Sequence, residues 1–286
     1  ADKRQPWLPV TMYIGGAEHS VLHLLYARFV TMVLHDLGYV DFDEPFSRFY
    51  ANGLIIKDGA KMSKSKGNVI NPDEYIKKYG VDTVRLYLRF LGPFDQGGDF
   101  RDTGIDGMHR FVKRVWHLLA ADGIQDQKLS SEAASMLHQT IKGVTEDLEA
   151  LRYNTAIAKL MTWYNFLAKQ NAVSKEEAKV YIQLLAPFAP HVAEELWEKI
   201  EEKHTSVHVG AWPVYDAASI KQDTLTIAVQ INGKLRSTLV LPAAKAMDKE
   251  LLEKRARADT NVIKFIAGKA IKKVIVIPGK VVNIVL

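Results

Sequence analysis

Residues 59–67 read Gly59-Ala60-Lys61-Met62-Ser63-Lys64-Ser65-Lys66-Gly67, a polar loop with a glycine at each end. A strand-like apolar run, Gly53-Leu54-Ile55-Ile56, precedes the loop. Asn71-Pro72-Asp73-Glu74 follows it, and the cap residue, the proline and the two acids predict that a helix begins there. Strand, polar loop and helix in this order predict an α/β layer in the first part of the chain.

The lysines of this loop suggest a role with phosphate groups. Because an ammonium group is a compact cation with three donors, Lys61 and Lys64 can move onto a triphosphate, and the Ser63 and Ser65 hydroxyls can add hydrogen bonds. Such donors are most useful where charge develops, as on a departing pyrophosphate. The alternative is an ordinary exposed loop, since lysine and serine are common in loops.

A second glycine turn lies upstream, in Tyr13-Ile14-Gly15-Gly16-Ala17-Glu18-His19. Residues 9–14 predict a short buried strand before the turn, and a helix is predicted from Glu18 to Leu37. His19 and His23 are spaced four residues apart and could share one face of that helix. Three roles stay open for Glu18 and the two histidines: metal ligation, ordinary core or surface positions, and contact with a nucleotide.

The rest of the chain predicts a helical bundle and a small α/β domain. Residues 104–203 read almost entirely as helix, with apolar stripes that include Phe111, Val115 and Leu160. Further on, alternating apolar residues flank Asn232-Gly233, the strongest short signal for a β-hairpin. The predicted domains are therefore residues 1–103, residues 104–222 with a linker at their end, and residues 223–286.

Positive charge is concentrated at the end of the chain. Residues 221–286 hold 13 Lys or Arg against 5 Asp or Glu, whereas residues 1–220 hold 25 against 28. A polyanion such as tRNA would explain this distribution, and so would a solvated, lysine-rich surface. The absence of cysteine excludes disulfides and thiolate metal sites. With no apolar run of about 18 residues, no transmembrane helix is expected.

Two groups of cations suit a nucleic-acid backbone. Arg110, Lys113 and Arg114 lie within about one helical turn and could follow a row of phosphates, unless they form only a solvated helix face. Lys234 and Arg236 alternate in the predicted hairpin and should share a face, with a purely structural hairpin as the alternative.

The string Lys61-Met62-Ser63-Lys64-Ser65 is the signature of class I aminoacyl-tRNA synthetases, and nearly the whole chain resembles the leucyl-tRNA synthetases in family order. The turn from Tyr13 to His23 is similar to the strand-to-helix turn of the leucyl enzymes. Further strings resemble their stem-contact and anticodon-binding helices, namely Asp82–Leu86, Arg110–Trp116, Tyr153–Ile157, Ala189–His191 and Glu194–Trp197. Val229–Arg236, Lys269–Ile275 and Pro278–Val285 resemble the small C-terminal domain of bacterial leucyl enzymes, which hangs on a flexible linker and contacts the tRNA elbow.

The resemblance implies a fold that is α/β plus all-α. It implies the C-terminal half of a class I Rossmann-like catalytic domain, a helical anticodon-binding bundle, and a small α/β C-terminal domain. It implies catalytic roles for Lys61 and Lys64. The expected ATP or aminoacyl-adenylate contacts are Gly15, Gly16, Glu18, His19, His23, Asn52, Gly53, Met62, Ser63 and Ser65. The expected tRNA contacts are Arg110, Lys113, Arg114, Lys234, Arg236, Lys272 and Lys273. No metal ligand is expected.

Parts of the family pattern are missing. No string of the His-Ile-Gly-His type occurs, an editing domain is absent, and Asn52 stands where the family usually has glutamine. The chain is therefore expected to be a split subunit or a fragment, inactive alone, with an apolar edge that needs a partner. The expected partners are tRNA(Leu) and the N-terminal catalytic and editing part of the synthetase. ATP with Mg²⁺, and leucine, are the expected substrates, in the cytoplasm.

Other functions remain open. A non-catalytic tRNA-binding module derived from a synthetase would keep the basic end of the chain without needing Lys61–Ser65. A scaffold protein would use a face of the bundle. An isoleucyl- or valyl-specific enzyme would share the loop and the bundle.

Overall fold

A computed structural model describes residues 7–120, 123–201, 205–220, 224–242, 245–267 and 269–286. The chain forms two compact units, unit 1 up to Tyr215 and unit 2 from Asp216. The predicted boundary between residues 103 and 104 lies inside helix α4 (Asp102–Leu119), and one hydrophobic core extends on both sides of it. The predicted boundary between 222 and 223, with part of the predicted linker, lies outside the described residues.

The α/β layer of unit 1 consists of two small sheets. In the first, β1 (Tyr13–Gly15) pairs in parallel with β2 (Phe49–Ala51). In the second, β3 (Leu54–Lys57) lies between β4 (Ala60–Lys61), which is antiparallel to it, and β5 (Gly97–Phe100), which is parallel to it. The strand predicted after Gly53 is thus confirmed.

Two glycines allow β3 and β5 to approach. A Cβ at Gly53 would lie 2.0 Å from the backbone nitrogen of Gly97, and a Cβ at Gly97 would lie 2.0 Å from the carbonyl oxygen of Leu54. Gly97 also has a φ of +75°, a conformation that residues with side chains rarely adopt. Neither position has room for any larger residue without moving backbone.

The predicted helix from Glu18 is wrong in its first turn. Ala17–Ser20 form a 3₁₀ turn, and α1 (His23–Asp36) begins only after Leu22, whose φ and ψ of −111° and −104° are not helical. The break allows the rings of His19 and His23 to contact Tyr13 from two directions. The predicted buried strand over residues 9–14 is also wrong in extent, because β1 begins at Tyr13 and is not buried.

Helix α1 leaves a wide apolar face uncovered. The exposed fractions are 56% for Leu25, 67% for Tyr26 and 67% for Phe29, and Val30 and Val33 on the same helix are exposed as well. Side chains of this size are normally buried, so a continuous exposed row marks an interaction surface. The predicted apolar edge is confirmed in this form.

The helices after α1 build the bundle. Their bounds are α2 Pro72–Tyr79, α3 Val81–Phe90, α4 Asp102–Leu119, α5 Ser131–Glu149, α6 Tyr153–Leu167, α7 Lys175–Leu185 and α8 Pro190–Ile200. As predicted, the Asn71 side chain caps α2 by accepting a hydrogen bond from the backbone of Asp73. The predicted stripes of α4 and α6 form the core, with Phe111, Val115 and Leu160 at most 1% exposed. Short strands β6 (Ile124–Gln125) and β7 (Val173–Ser174) pair beside them.

Unit 2 is a four-stranded sheet with helices packed on it. The strands β8 (Thr224–Ile231) and β9 (Lys234–Pro242) form the predicted hairpin, and Asn232 and Gly233 between them both have positive φ, as the tight hairpin turn requires. The sheet order is β10-β11-β8-β9, with β10 at Lys273–Ile277 and β11 at Val281–Val285.

The core of unit 2 lies between this sheet and two helices, α9 (Lys249–Ala258) and α10 (Thr260–Ile266). Its fully buried side chains include Val229, Leu252 and Ile284. None of the helices in the described ranges of the two units is long and apolar enough to cross a membrane.

One buried carboxylate joins distant parts of unit 1. Asp82, 4% exposed at the start of α3, accepts a 2.7 Å hydrogen bond from the backbone nitrogen of Val192 and a 2.9 Å contact from Nδ1 of His191. Both partners lie in the first turn of α8, whose own cap position, Ala189, has no side chain that could do this. Asp82 therefore caps a helix that begins more than a hundred residues later.

Replacing Asp82 with alanine should leave the partly buried backbone donor of Val192 in α8 without an acceptor. The free energy of unfolding should fall by about 1–3 kcal/mol, the usual effect of such an unpaired donor. Urea denaturation followed by circular dichroism measures this. His191→Ala is the control, because it removes only the exposed partner and should cost less than about 1 kcal/mol. Equal losses in the two variants would show that Asp82 does not act as a cap.

Candidate functional site

The loop Lys61–Ser65 has a defined internal structure. After β4 ends at Lys61, residues 64–66 form a 3₁₀ turn, and the hydroxyl of Ser63 accepts a 3.3 Å hydrogen bond from the backbone of Lys66. Gly67 closes the turn with a φ of +64°, which favours glycine. The predicted polar loop is thus a short, capped turn between a strand and a helix.

Asn68 is the residue that braces this loop, and sequence reasoning missed it. Its side-chain oxygen accepts a 2.9 Å hydrogen bond from the backbone nitrogen of Ser63, and its amide nitrogen donates to the carbonyl of Lys61 at 3.3 Å. A weaker contact of 3.5 Å reaches the carbonyl of Lys57. The one available signal was that asparagine side chains often bond to nearby backbone.

The side chains of the loop divide into anchors and free cations. Met62 is half-buried against the core of unit 1, so the structure places it as an anchor of the loop. Lys61, Lys64 and Lys66 are exposed, and within the described ranges none of them forms an ion pair. The hydroxyls of Ser63 and Ser65 lie 2.8 Å apart and bond to each other. The loop therefore presents ammonium groups that are available to an anion.

The upstream turn and Asn52 come together at one edge of the first sheet. The strands β1 and β2 are parallel, so their carboxyl ends lie side by side, and the backbone nitrogen of Asn52 donates to the carbonyl of Gly15 at 3.0 Å. In open α/β sheets, ligands bind outside the carboxyl ends of the strands. Four residues predicted to contact a nucleotide, Gly15, Gly16, Asn52 and Gly53, thus share the edge where such contact is expected.

Glu18 and the histidines surround this edge. The Glu18 carboxylate folds back over Gly16, where a Cβ would lie 2.3 Å from it. His23 stacks on Tyr13 with 5.4 Å between ring centroids, and Nδ1 of His19 is buried without a hydrogen-bond partner among the described residues. Because of the break before α1, the two histidines do not share one helical face. In the described ranges, no group of three His, Cys, Asp or Glu side chains could hold a metal ion.

A cavity of about 580 Å³ lies beside Asn52 and Gly53. Its lining is mainly apolar and aromatic, with Phe94 and Tyr153, but it includes the guanidinium-bearing side chain of Arg89. Burial, and then the nearby Arg85, lower the pKa of Arg89. Within the described residues neither arginine has a carboxylate partner. No motif or spacing in the sequence marks Arg89, because it reads as an ordinary helix position.

The predicted cations of α4 converge on one groove. Arg110, Lys113 and Arg114 are exposed and, with His117, line a cavity of about 750 Å³ between α4 and Met161 of α6. The guanidinium carbon of Arg114 lies 5.3 Å from the centre of the Tyr164 ring. Among the described residues, no acid forms an ion pair with these three. A groove lined by cations that have no ion-pair partner in the described part of the chain could follow a row of phosphates.

The predicted cations of unit 2 gather at one end of its sheet but on both faces. Lys234 pairs with the inward-facing Ile231, and Arg236 lies at a bulge with its guanidinium carbon 4.1 Å from the centre of the Phe265 ring of α10. Both therefore lie on the face that carries the helices. Lys273 pairs with Val285 at the same end, on the opposite face, and Nζ of the neighbouring Lys272 donates to the carbonyl of Leu286.

Two family models match the chain. Residues 3–97 match the model described as tRNA synthetases class I (I, L, M and V). Residues 131–252 match the model of the anticodon-binding domain of tRNA ligases. The first match includes the loop Lys61–Ser65 and the edge formed by Gly15 and Asn52, and the second begins with α5.

Solved structures of two synthetases are similar to the chain. The agnB2 LeuRS of Agrobacterium radiobacter K84, in a ternary complex with tRNA and LeuAMS, is 33% identical with a TM-score of 0.70. The match covers 97% of this chain and 38% of that one. The methionyl-tRNA synthetase of Mycobacterium tuberculosis, with methionyl-adenylate, is 19% identical over 69% of this chain and 45% of its own, with a TM-score of 0.53, which supports the fold alone. The chain thus spans less than half of either protein.

Replacing Asn68 with alanine should loosen the loop without unfolding unit 1. The variant loses the hydrogen bonds to Ser63 and Lys61, and at about 1 kcal/mol each their loss should accelerate amide exchange over residues 61–67 roughly thirtyfold. Hydrogen exchange with mass spectrometry measures this. Asn68→Asp is the matched control, because it keeps the acceptor for Ser63 and should give a smaller increase. If the alanine variant exchanged like the unmodified chain, Asn68 would not brace the loop.

Proposed function

The chain belongs to the class I tRNA synthetases, and on that premise we propose that it is the part of a leucyl-tRNA synthetase that supplies the Lys61–Ser65 half of the ATP site and most of the tRNA-binding surface. As part of a class I aminoacyl-tRNA synthetase, it would act on ATP with Mg²⁺, leucine and tRNA(Leu). The observation that carries the proposal is the braced loop with its exposed lysines, joined by β3 to the Gly15–Asn52 edge.

The proposed reaction has two steps. The leucine carboxylate attacks the α-phosphate of ATP, the bond to the β-phosphate oxygen breaks, and leucyl-adenylate and pyrophosphate form. A ribose hydroxyl at the end of the tRNA then takes the leucyl group, and AMP leaves. Lys61 and Lys64 would stabilise the charge that grows on pyrophosphate, and Mg²⁺ would enter with the triphosphate. The edge around Asn52 would receive the adenosine, with Glu18, His19 and His23 beside the adenylate.

Leucine is favoured over the other amino acids of this group by similarity along the chain. The 33% identity extends over 97% of the chain, and therefore into unit 2, whereas the methionyl enzyme is only 19% identical over a shorter part. An isoleucyl or valyl enzyme stays the nearest alternative, because the loop and the bundle are common to the group.

The uncovered apolar face of α1 is evidence that a protein partner binds there. Its occupant in the proposed enzyme is the remaining part of the synthetase, which would carry the His-Ile-Gly-His type of signature and the leucine pocket. The match to 38% of the leucyl enzyme leaves such a part to be supplied. Since catalysis requires ATP and leucine to be positioned together, the chain alone should be inactive. The proposed reaction also implies a cytoplasmic location.

Leucine-dependent exchange of pyrophosphate into ATP tests the proposal. The chain alone should show no exchange, and a mixture with the N-terminal part of a leucyl-tRNA synthetase should show it. Lys64→Ala should slow exchange by about 10²–10³-fold, the typical effect of losing a donor to developing charge, while tRNA binding is kept.

Lys66→Ala is the matched control, because Lys66 lies in the same turn but outside the family signature. If isoleucine or valine drove exchange in place of leucine, the proposed specificity for leucine would be wrong. If tRNA bound tightly but no amino acid drove exchange in the mixture, the chain would be a tRNA-binding module.

The α4 groove should contribute to tRNA affinity through phosphate contacts. Lys113→Ala should weaken tRNA binding and reduce the slope of log K against log salt by about one, the value for one lost contact. Filter binding at several salt concentrations measures both. Lys199→Ala is the control, because its ammonium group lies 5.6 Å from the centre of the Trp116 ring and outside the groove. An unchanged slope for Lys113→Ala would remove the groove from the tRNA interface.

A further inference from the structure

Both ends of the catalytic loop are tied to one carboxylate. Nζ of Lys57, the last residue of β3 before the loop, donates to one oxygen of Asp102 at 3.0 Å. The hydroxyl of Tyr75, in the helix after the loop, donates to the other oxygen at 2.5 Å. Residues 58–74, which include the whole Lys61–Ser65 signature, therefore form a segment that starts and ends at Asp102.

The aromatic residues around Asp102 hold these contacts in place. Phe100 is 3% exposed. The centre of its ring lies 5.0 Å from the centre of the Tyr75 ring, in an edge-to-face arrangement, and 5.5 Å from Nζ of Lys57. Lys57 keeps only 16% of its side chain exposed, while Asp102 keeps 63%. The ammonium group is thus fixed by its surroundings, and the carboxylate is the accessible member of the cluster.

Asp102 is the first residue of α4, the helix that carries the groove cations. The helix runs without interruption from Asp102 to Leu119. At 1.5 Å of rise per residue, Lys113 lies about 16 Å along the axis from Asp102. Because α4 is one continuous helix, a shift imposed on Arg110, Lys113 and Arg114 can be carried along it to Asp102.

The charge states required by the cluster are stable near neutral pH. The Tyr75 hydrogen bond, and then that of Lys57, lower the pKa of Asp102. The bond to Asp102, with burial, raises the pKa of Tyr75 to about 12. The carboxylate is therefore charged and the phenol protonated over the range in which an aminoacylation enzyme works.

We propose that Asp102 is a positioning residue that couples the occupied tRNA groove to the Lys61–Ser65 loop. Binding of a phosphate backbone along α4 moves the helix, Asp102 transmits the movement to Lys57 and Tyr75 together, and the loop responds as one segment. The inference rests on the proposed function, because it requires that the groove binds tRNA and that the loop is catalytic. Asp102 lies outside both the Lys61–Ser65 loop and the lining of the groove, so its role is positional.

The test is hydrogen exchange over residues 58–74 in the full chain, with and without a transcript of leucine tRNA. In the unmodified chain, tRNA should change the rate of amide exchange in this segment by at least about threefold. A change of this size corresponds to part of the free energy of one hydrogen bond. In Asp102→Asn, which removes the charge but keeps the shape, exchange without tRNA should be roughly fivefold to tenfold faster and the response to tRNA should be lost. tRNA affinity should stay close to that of the unmodified chain, since the groove cations remain.

Two further variants separate coupling from simple loss of structure. Asp106→Asn removes the charge on the acceptor of Tyr79, one turn along α4, without touching Lys57 or Tyr75, and should keep the full response to tRNA. Tyr75→Phe removes one of the two ties and should give a partial response. A full response in Asp102→Asn, or an equal loss in Asp106→Asn, would overturn the coupling.

The unmodified chain distinguishes this inference from the proposed function. If it bound tRNA through the groove but the loop did not respond, Asp102 would be no more than a structural contact and the inference would be wrong. If it did not bind tRNA at all, the proposed function would fail first, and the coupling with it.

Discussion

Unit 1 depends on α3, because this one short helix fixes the starting points of two others. Asp82 at its beginning caps α8. The hydroxyl of Tyr87 near its end both accepts from the backbone nitrogen and donates to the carbonyl of Arg101, at 2.7 Å each, immediately before α4 begins. Leu86 between them is completely buried. The starting points of α4 and α8 are therefore both held from α3, and one hydrophobic core extends over all three helices.

Much of this arrangement follows from local patterns in the sequence. The cap at Asn71, the Asn232-Gly233 turn and the apolar stripes of α4 and α6 were predictable because each depends on residues a few positions apart. The break at Leu22 was not, since the Tyr13 ring that the histidines contact is held by tertiary packing. Asp102 escaped prediction for the same reason, because its partner Lys57 lies 45 residues away. Single-sequence patterns carry no information about such pairs.

The site residues show the same division. The loop signature and the α4 cations were identified from their residue types and spacing, and the structure adds that the latter share a groove. Asn68 and Arg89 had no distinctive pattern, and only their positions in the fold draw attention to them. In unit 2, the charge excess was evident from composition, but its distribution over two faces of a sheet depends on strand register and on the bulge at Arg236.

Acids and cations are not spread evenly over unit 1. Asp147, which is 3% exposed, forms ion pairs with both Arg152 and Lys159. Burial alone would raise the pKa of Asp147, but hydrogen bonds from Lys159, Thr155 and Arg152 outweigh it and lower the pKa. In the described ranges, the lysines of the loop and the cations of the groove lack such partners. The local availability of positive charge therefore reflects where the acids are placed, although residues 1–220 carry more acids than bases.

The close approach of Gly53 and Gly97 has a consequence for how this protein can diverge. With a Cβ at either position 2.0 Å from opposing backbone, any substitution there forces β3 and β5 apart. Lys57 and Phe100 pair at the far end of the same two strands, so separating the strands would also displace the residues around Asp102. Gly53 and Gly97 thus restrict which substitutions the fold can accept. A change at either one is tolerated only if the neighbouring backbone changes with it, and single-step mutation offers few such routes.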